Sequence, residues 1–302
     1  MERRRFLRTL AGAAVASPFL PALPVLGADE QRLVILHTND THSRIDPFPE
    51  DAGRLAGLGG IARRANLVKH VRAAHEHVLL LDSGDIFQGT PYFNFFKGEI
   101  EFKSMSAMGY DVSTLGNHEF DNGVEGIVSM MPHASFEFVS ANYDASGSSL
   151  GQHLKPYTIR ELGGLKVGIF GLGIDFERLV LPDLHRGVSY NDPILAAQKC
   201  VAELLDAGCH LVICLSHLGY RYRSDRPSDT ALAQAVPGID IILGGHTHTF
   251  MDEPDVYQHP GQPFSIVHQT GWAGVRLGRV DVVFNREGRQ KRWYGSVYNI
   301  GG

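Results

Sequence analysis

Seven side chains able to bind a divalent cation fall in five short segments of the 302-residue chain. They are Asp40 and His42 in "HTNDTHS", Asp85 in "DSGDIFQG", Asn117 in "GNHEFDNG", His217 in "SHLG", and His246 and His248 in "GGHTHTF". Carboxylate, amide oxygen and imidazole without thiolate suit Mn, Zn, Co, Fe or a similar divalent ion, not an iron–sulfur cluster or a thiolate zinc site. Seven ligands are too many for one tetrahedral ion, whereas two ions sharing a carboxylate use them all. Any one His alone reads more simply as a solvated or hydrogen-bonded structural residue; their recurrence in five similar loops argues for a metal centre. "GNHEFDNG" also holds His118, Glu119 and Asp121. Adjacent side chains diverge, so His118 is not placed to share the ion that Asn117 holds and is free to face a substrate. Asp121, three residues on, is placed to orient that ring and raise its pKa. The plainer alternative makes Asp121 a helix cap, and Glu119 reads as structural support.

Each segment follows a short apolar run: "LVIL" (33–36), "HVLLL" (77–81), "VSTL" (112–115), "LVICL" (211–215) and "IDIIL" (239–243). Further strand-length runs are "FEFVS" (136–140), "KVGIFGL" (166–172), "FSIVHQ" (264–269), "RVDVVF" (279–284) and "WYGSVYNI" (293–300). Several are continuously apolar, as strands covered on both faces must be. Helical patterns cover 61–77 and 193–208, the latter with Gly208 as C-cap, and "LGG" and "NREG" read as hairpin turns. The expectation is one layered α/β domain with two sheets between helices. Ligand crevices of such sheets lie outside the carboxyl ends of strands, so the five loops can converge. Glycines 84, 89, 116, 219, 244 and 245 permit the tight backbone this needs. His268, near a strand end, is a candidate support for the ligands; His70, His75 and His77 read as surface residues on or near the first helix.

With these motifs in order, together with "GGIAR" (59–63) and "QTGWAGVRLGRVDVVF" (269–284), the chain resembles the calcineurin-like metallophosphoesterases, in particular their 5′-nucleotidase/UDP-sugar hydrolase branch. The resemblance implies a four-layer sandwich of two mixed β-sheets flanked by helices. It implies Asp40, His42, Asp85 and His248 on one ion, with Asp85 bridging to a second held by Asn117, His217 and His246. His118 would sit beside the scissile bond with Asp121 as partner. The implied reaction is hydrolysis of nucleotide or other small phosphate esters by a metal-bridging hydroxide. Two-domain members of the branch carry a C-terminal nucleotide-binding domain. The expectation here is the catalytic domain alone over 28–302, with a separately encoded C-terminal nucleotidase domain as a candidate partner. A thiosulfohydrolase, a cyclic-nucleotide or nucleic-acid phosphodiesterase, and a non-catalytic metal-carrying subunit are alternative readings of the same residues. The aromatic run "IFQGTPYFNFF" reads as core and loop packing rather than a base-stacking platform.

Composition is that of a globular protein, 43% hydrophobic and 20% charged, with net charge −5. An acidic balance argues against a nucleic-acid or anionic-membrane partner, so an anionic substrate needs a local attraction such as a metal. The first 27 residues carry Arg3, Arg4, Arg5 and Arg8 before a moderately apolar stretch, as a signal peptide does, with cleavage expected after Gly27. Arg3 and Arg4 followed by Phe6, Leu7 and Arg8 resemble a twin-arginine signal, implying export to the periplasm or beyond. Prolines 18, 21 and 24 argue against a membrane anchor. Three cysteines make no disulfide framework; Cys214 reads as a buried hydrophobe, and a Cys200–Cys209 bridge is the one pairing worth considering.

Overall fold

The apolar runs become the strands of two sheets. The computed structural model describes residue 27 and residues 30–260, 262–285, 288 and 291–301. The leader expected over 1–27 lies outside the described residues apart from Gly27, as does much of the "NREG" turn. In chain order the strands are β1 (Glu30–Thr38), β2 (Val78–Asp82), β3 (Val112–Ser113), β4 (Glu137–Val139), β5 (Tyr143–Asp144), β6 (Leu154–Lys155), β7 (Tyr157–Leu162), β8 (Leu165–Leu172), β9 (Ser189–Tyr190), β10 (Leu211–Ser216), β11 (Ile241–Gly244), β12 (Asp255–His259), β13 (Gln262–His268), β14 (Arg276–Asn285) and β15 (Lys291–Asn299). One sheet runs β15-β14-β1-β2-β3-β4-β6, the other β12-β13-β11-β10-β8-β7, and β5 pairs with β9. Both large sheets are mixed. In the first, β1, β2, β3, β4 and β6 pair in parallel and β14 runs antiparallel to β1 and β15. In the second, β8, β10, β11 and β13 are parallel, with antiparallel β7 and β12 at the edges.

Residue alternation divides the core into three layers. Leu33, Ile35, Leu79 and Leu81 of the first sheet meet Val167, Ile169, Ile213 and Leu243 of the second. The intervening Val34, Leu36 and Leu80 face outward against Val68 of helix α1 (Ile61–Ala74) and Phe102 of a second helix, Glu99–Met108. On the far side Phe170, Val212 and Cys214 pack on Cys200 and Leu204 of helix Pro193–Asp206 and Leu232 of helix Asp229–Ala235. Helix, sheet, sheet, helix is thus the four-layer order expected. Each fully buried Leu, Ile or Val contributes about 1.5–3 kcal/mol. Cys200, Cys209 and Cys214 are free and buried.

Helix Pro193–Asp206 starts where the sequence says it should. Asp192 caps it, its Oδ1 accepting from the amides of Ile194 (2.7 Å) and Leu195 (3.1 Å). Gly208 follows its end at φ 77°. Helix α1 stops at Ala74, short of the expected 77, because the chain is already entering the sheet: the His77 carbonyl accepts from Val34 N at 3.0 Å. His75 is half-buried, not a surface residue, and its Nε2 lies 2.9 Å from Arg279 Nη2. At "LGG", Leu162 pairs with Leu165 and both Gly163 (φ 56°) and Gly164 (φ 82°) are left-handed, as a two-residue hairpin loop requires. No helix among the described residues is long and apolar enough to cross a membrane.

Register places the loops. Thr38 pairs with Asp82, Asp82 with Ser113, and Ser216 with both Leu172 and Gly244. The carboxyl ends of β1, β2 and β3 are therefore level in one sheet, and those of β8, β10 and β11 in the other. The polar segments leave from that common rim.

Candidate metal centre

The loop after β1 and the loop after β2 run side by side. Asp40 N donates to Gly84 O (2.9 Å), His42 N to Asp85 O (3.0 Å) and Ser43 N to Ile86 O (2.8 Å). Glu119 stitches the third loop to the second: its buried carboxylate accepts from the amides of Asp85 (3.0 Å), Ile86 (2.7 Å), Phe87 (3.2 Å) and Gly116 (2.6 Å). Its reading as structural support holds. Burial and the nearby Asp85 carboxylate raise its pKa to about 7. Gly116 is required by close approach, since a Cβ there would stand 2.2 Å from Asp85 Oδ1.

Five of the seven candidate ligands, Asp40, His42, Asp85, His246 and His248, have φ between 48° and 70°. Left-handed backbone costs a non-glycine residue on the order of 1–2 kcal/mol and persists where the surroundings fix it. Here the surroundings aim side chains inward.

All seven meet at the rim. His42 Nε2 is 3.0 Å from His248 Nε2 and 4.0 Å from both Asp40 Oδ1 and Asp85 Oδ2. His248 Nε2 is 3.3 Å from Asp40 Oδ1. On the other side of Asp85, His217 Nε2 lies 3.0 Å from Oδ2, and His246 Nδ1 lies 3.0 Å from Asn117 Oδ1. Asp40, His42 and His248 form one group able to hold a metal, and Asp85, His217 and His246 another.

The donor set fits divalent cations. His217 directs Nδ1 at the Ser83 carbonyl (2.6 Å) and His42 at that of Phe87 (3.2 Å), which orients each Nε2 into the centre. His217 Nε2 is fully buried and faces the Asp85 carboxylate at 3.0 Å. Two carboxylates, Asp40 and Asp85, are buried among these rings. Burial drives His217 down, but Asp85 and Asp40 outweigh it and hold its pKa at about 10. Burial, aided by the His217 charge, drops His246 to about 4. Against the effect of burial, His217, His118 and His42 hold the Asp85 carboxyl well below the usual range. Ring protons supply the counter-charge here, and a metal ion is the other group able to do so.

His118 opens a 3₁₀ turn, His118–Asn122, and its Nδ1 lies 2.9 Å from Asp121 Oδ2 with both side chains about one-third exposed. Its ring centroid is 5.2 Å from that of His42. Burial opposes protonation, but the Asp121 bond and the Asp85 charge raise its pKa to about 9. Asp121 makes no helix cap: the following helix, Gly123–Met130, starts at Asn122 without a side-chain cap bond.

Other expectations need correction. No hydrogen bond or ion pair joins His268 to the seven; it is buried with its Nδ1 2.9 Å from Nε2 of His37, the first residue of "HTNDTHS", to which the sequence reading assigns no role. The aromatic run is split, Phe87 and Phe93 packing in the core while Phe95 is 79% exposed. Sequence reasoning also missed Gln269 and Asp229. Gln269 Nε2 donates to Asp229 Oδ2 and to Gly245 O (2.8 Å each), and Asp229 Oδ1 accepts from Ser216 Oγ (2.6 Å). They tie the "GGHTH" loop to the end of β10. Trp272 stacks on His248, centroids 5.6 Å apart and planes within 8°. "QTGWAG" marked this segment as part of the resemblance without indicating what it does.

Two mixed sheets between helices, with paired clusters of oxygen and imidazole donors at the strand ends, define a metallophosphoesterase scaffold. The chain belongs to the calcineurin-like phosphoesterase family, whose sequence profile matches residues 33–250. It is 35% identical to a snake venom 5′-nucleotidase of Gloydius brevicauda over 95% of this chain and 53% of that one. To a 5′-nucleotidase of Bos taurus it is 36% identical, over 85% of this chain and 47% of the relative. The crystal structure of a 5′-nucleotidase precursor from Thermus thermophilus superposes with a TM-score of 0.80 at 34% identity, covering 90% of this chain and 55% of that one. The chain thus spans about half the length of these relatives.

Proposed function

We propose that residues 28–302 form a dinuclear phosphoesterase domain of 5′-nucleotidase type, exported behind a twin-arginine leader. Asp40, His42, Asp85 and His248 would hold one ion, and Asp85, Asn117, His217 and His246 the other. The observation that carries this reading is the position of Asp85, whose one oxygen faces His217 at 3.0 Å and His42 at 4.0 Å. When bound, two such cations acidify water and neutralise charge developing on a transferring phosphoryl group. The protein's part is to position and to move protons. Glu119 fixes the loops that carry Asp85 and Asn117. Asp121 holds the His118 ring by Nδ1, so Nε2 is the atom left to donate to a phosphoryl oxygen or to the departing alkoxide. Nucleotides are the proposed substrates because the relatives are 5′-nucleotidases.

The test is metal analysis and hydrolysis of AMP, UDP-glucose and an aryl phosphate by protein beginning at Ala28, with His118→Asn as control. Two ions per chain and hydrolysis slowed about 10²–10⁴-fold by the substitution are expected. Loss of metal in His118→Asn would show the ring to be a ligand, and metal-replete protein inactive on all three esters would refute the assignment. Fractionation of cells expressing the full chain, compared with Arg3→Lys/Arg4→Lys, tests the leader.

A further inference from the structure

Beside the metal centre, on the side of His217 and His246, lies a cavity of about 290 Å³ that none of the seven ligands lines. Its floor is apolar, Ile174 and Leu218, the latter adjacent in sequence to His217. Its walls carry Arg226, Asp175, Tyr190 and Asp192.

These four polar groups are not used up by one another. Arg226 has no carboxylate within ion-pair distance among the described residues; its guanidinium lies over the Tyr222 ring, 5.1 Å from the centroid. Tyr222 is fixed by its own hydroxyl, which donates to Leu218 O at 2.7 Å. Tyr222 in turn lies against the "GGHTH" loop across Gly219, where a Cβ would stand 2.2 Å from the Tyr222 hydroxyl and 2.8 Å from Thr247 Cγ2, so Arg226 is held on the metal side of the cavity. Asp175 uses one oxygen to accept from Glu177 N (3.0 Å), and Asp192 uses one for its helix cap. Among the described residues, the second oxygen of each and the Tyr190 hydroxyl accept from no protein group. A cation, two open acceptors and a phenol thus share one cavity with an apolar floor.

We propose that this cavity is the leaving-group pocket of the phosphoesterase, taking a phosphate monoester of a sugar, with Arg226 on the phosphoryl oxygens and Asp175, Asp192 and Tyr190 on the hydroxyls. The proposal rests on the assignment of the metal centre as a phosphoesterase site. A planar guanidinium suits phosphoryl oxygens because it offers two parallel donors. The carboxylates accept hydrogen bonds from hydroxyls and repel a second phosphate, so the pocket prefers a neutral sugar to a sugar diphosphate. Ile174 and Leu218 receive the C–H face of the ring.

Three proteins decide it: wild type, Arg226→Ala and Asp175→Asn, each metal-loaded. Inorganic phosphate is titrated calorimetrically, and kcat/KM is measured for ribose 5-phosphate and p-nitrophenyl phosphate. Arg226→Ala should weaken phosphate binding about tenfold or more and lower kcat/KM for both esters, as loss of a charge-assisted contact does. Asp175→Asn keeps the acceptor for Glu177 N and should raise KM for ribose 5-phosphate about fivefold while sparing the nitrophenyl ester. Arg226→Lys separates charge from fork geometry and guards against misfolding of the alanine variant; it should recover part of the phosphate affinity. Phosphate affinity unchanged within twofold in Arg226→Ala, or equal losses on both esters in Asp175→Asn, would overturn the pocket while leaving the metal centre standing. Wild-type protein that binds phosphate but cleaves neither these esters nor AMP and UDP-glucose would remove the phosphoesterase reading instead, whereas cleavage of AMP but not of ribose 5-phosphate would overturn the pocket alone.

Discussion

The buried pair His37–His268 makes acid stability a sharp test of the fold behind the metal loops. Both rings are fully buried, and one nitrogen of each, His37 Nδ1 and His268 Nε2, has no partner. A single proton shared between Nε2 and Nδ1 at 2.9 Å satisfies the pair when both rings are neutral. A further proton would be a buried charge that the Met251 backbone and Asp252 beside His268 only partly offset. Desolvation accordingly lowers His37 well below its ordinary 6.5 and His268 to about 4. The unfolded chain therefore binds more protons than the folded one between pH 6.5 and 4, and stability from this pair is full above 6.5 and lost as pH falls through that window. At about 1.4 kcal/mol per unit, the His268 displacement alone corresponds to about 3 kcal/mol. Urea unfolding of metal-stripped protein, followed by fluorescence between pH 7.5 and 4.5, measures it; stripping removes the separate pH dependence of metal release. His268→Gln should be less stable than wild type at pH 7.5, and the gap should close by about 2–3 kcal/mol at pH 4.5. Other buried groups that titrate in the window, His246 and Glu119 among them, are common to both proteins and cancel in the difference. Parallel stability profiles, with a gap constant to about 0.5 kcal/mol, would show that the pair is not held neutral by burial.

Asp85→Asn should release both ions together, whereas His248→Asn should release one; elemental analysis showing two retained ions in Asp85→Asn would remove the bridge. Glu119→Gln replaces an acceptor of four amides by a group that also donates, and should cost about 3 kcal/mol in denaturant unfolding and weaken metal retention; unchanged stability would mean that the loops do not depend on it. Trp272 is one of two tryptophans in the chain. Co(II) titration should therefore quench part of the emission of wild type and of Trp293→Phe, but not that of Trp272→Phe, and equal quenching in all three would place the ion elsewhere.

The strands were legible because a strand covered on both faces must be apolar at every position, as in "LVICL" and "IDIIL". The ligand loops were legible because hard-ligand side chains after such strands have few structural uses. Two-residue strands such as β5 and β9 carry no periodicity, and short helices such as Pro91–Phe96 too little of it. That last helix turns Phe93 inward and Phe95 outward, which explains why its aromatic run could be read either way. His268 was placed correctly at a strand end, but the pairing that faces it toward His37 is a tertiary fact. Gln269 and Asp229 act across segments distant in sequence, and only packing reveals what each reaches.

The centre takes Asp40, His42, Asp85 and Asn117 from loops of the first sheet and His217, His246 and His248 from loops of the second. Neither half of the chain holds a complete set for either group, so the site comes into being only when the two sheets have docked. A pair of ions seated there would rivet one half of the sandwich to the other. Metal loading would then mark the last stage of folding, and metal content in a preparation would count correctly assembled molecules more directly than any measure of secondary structure.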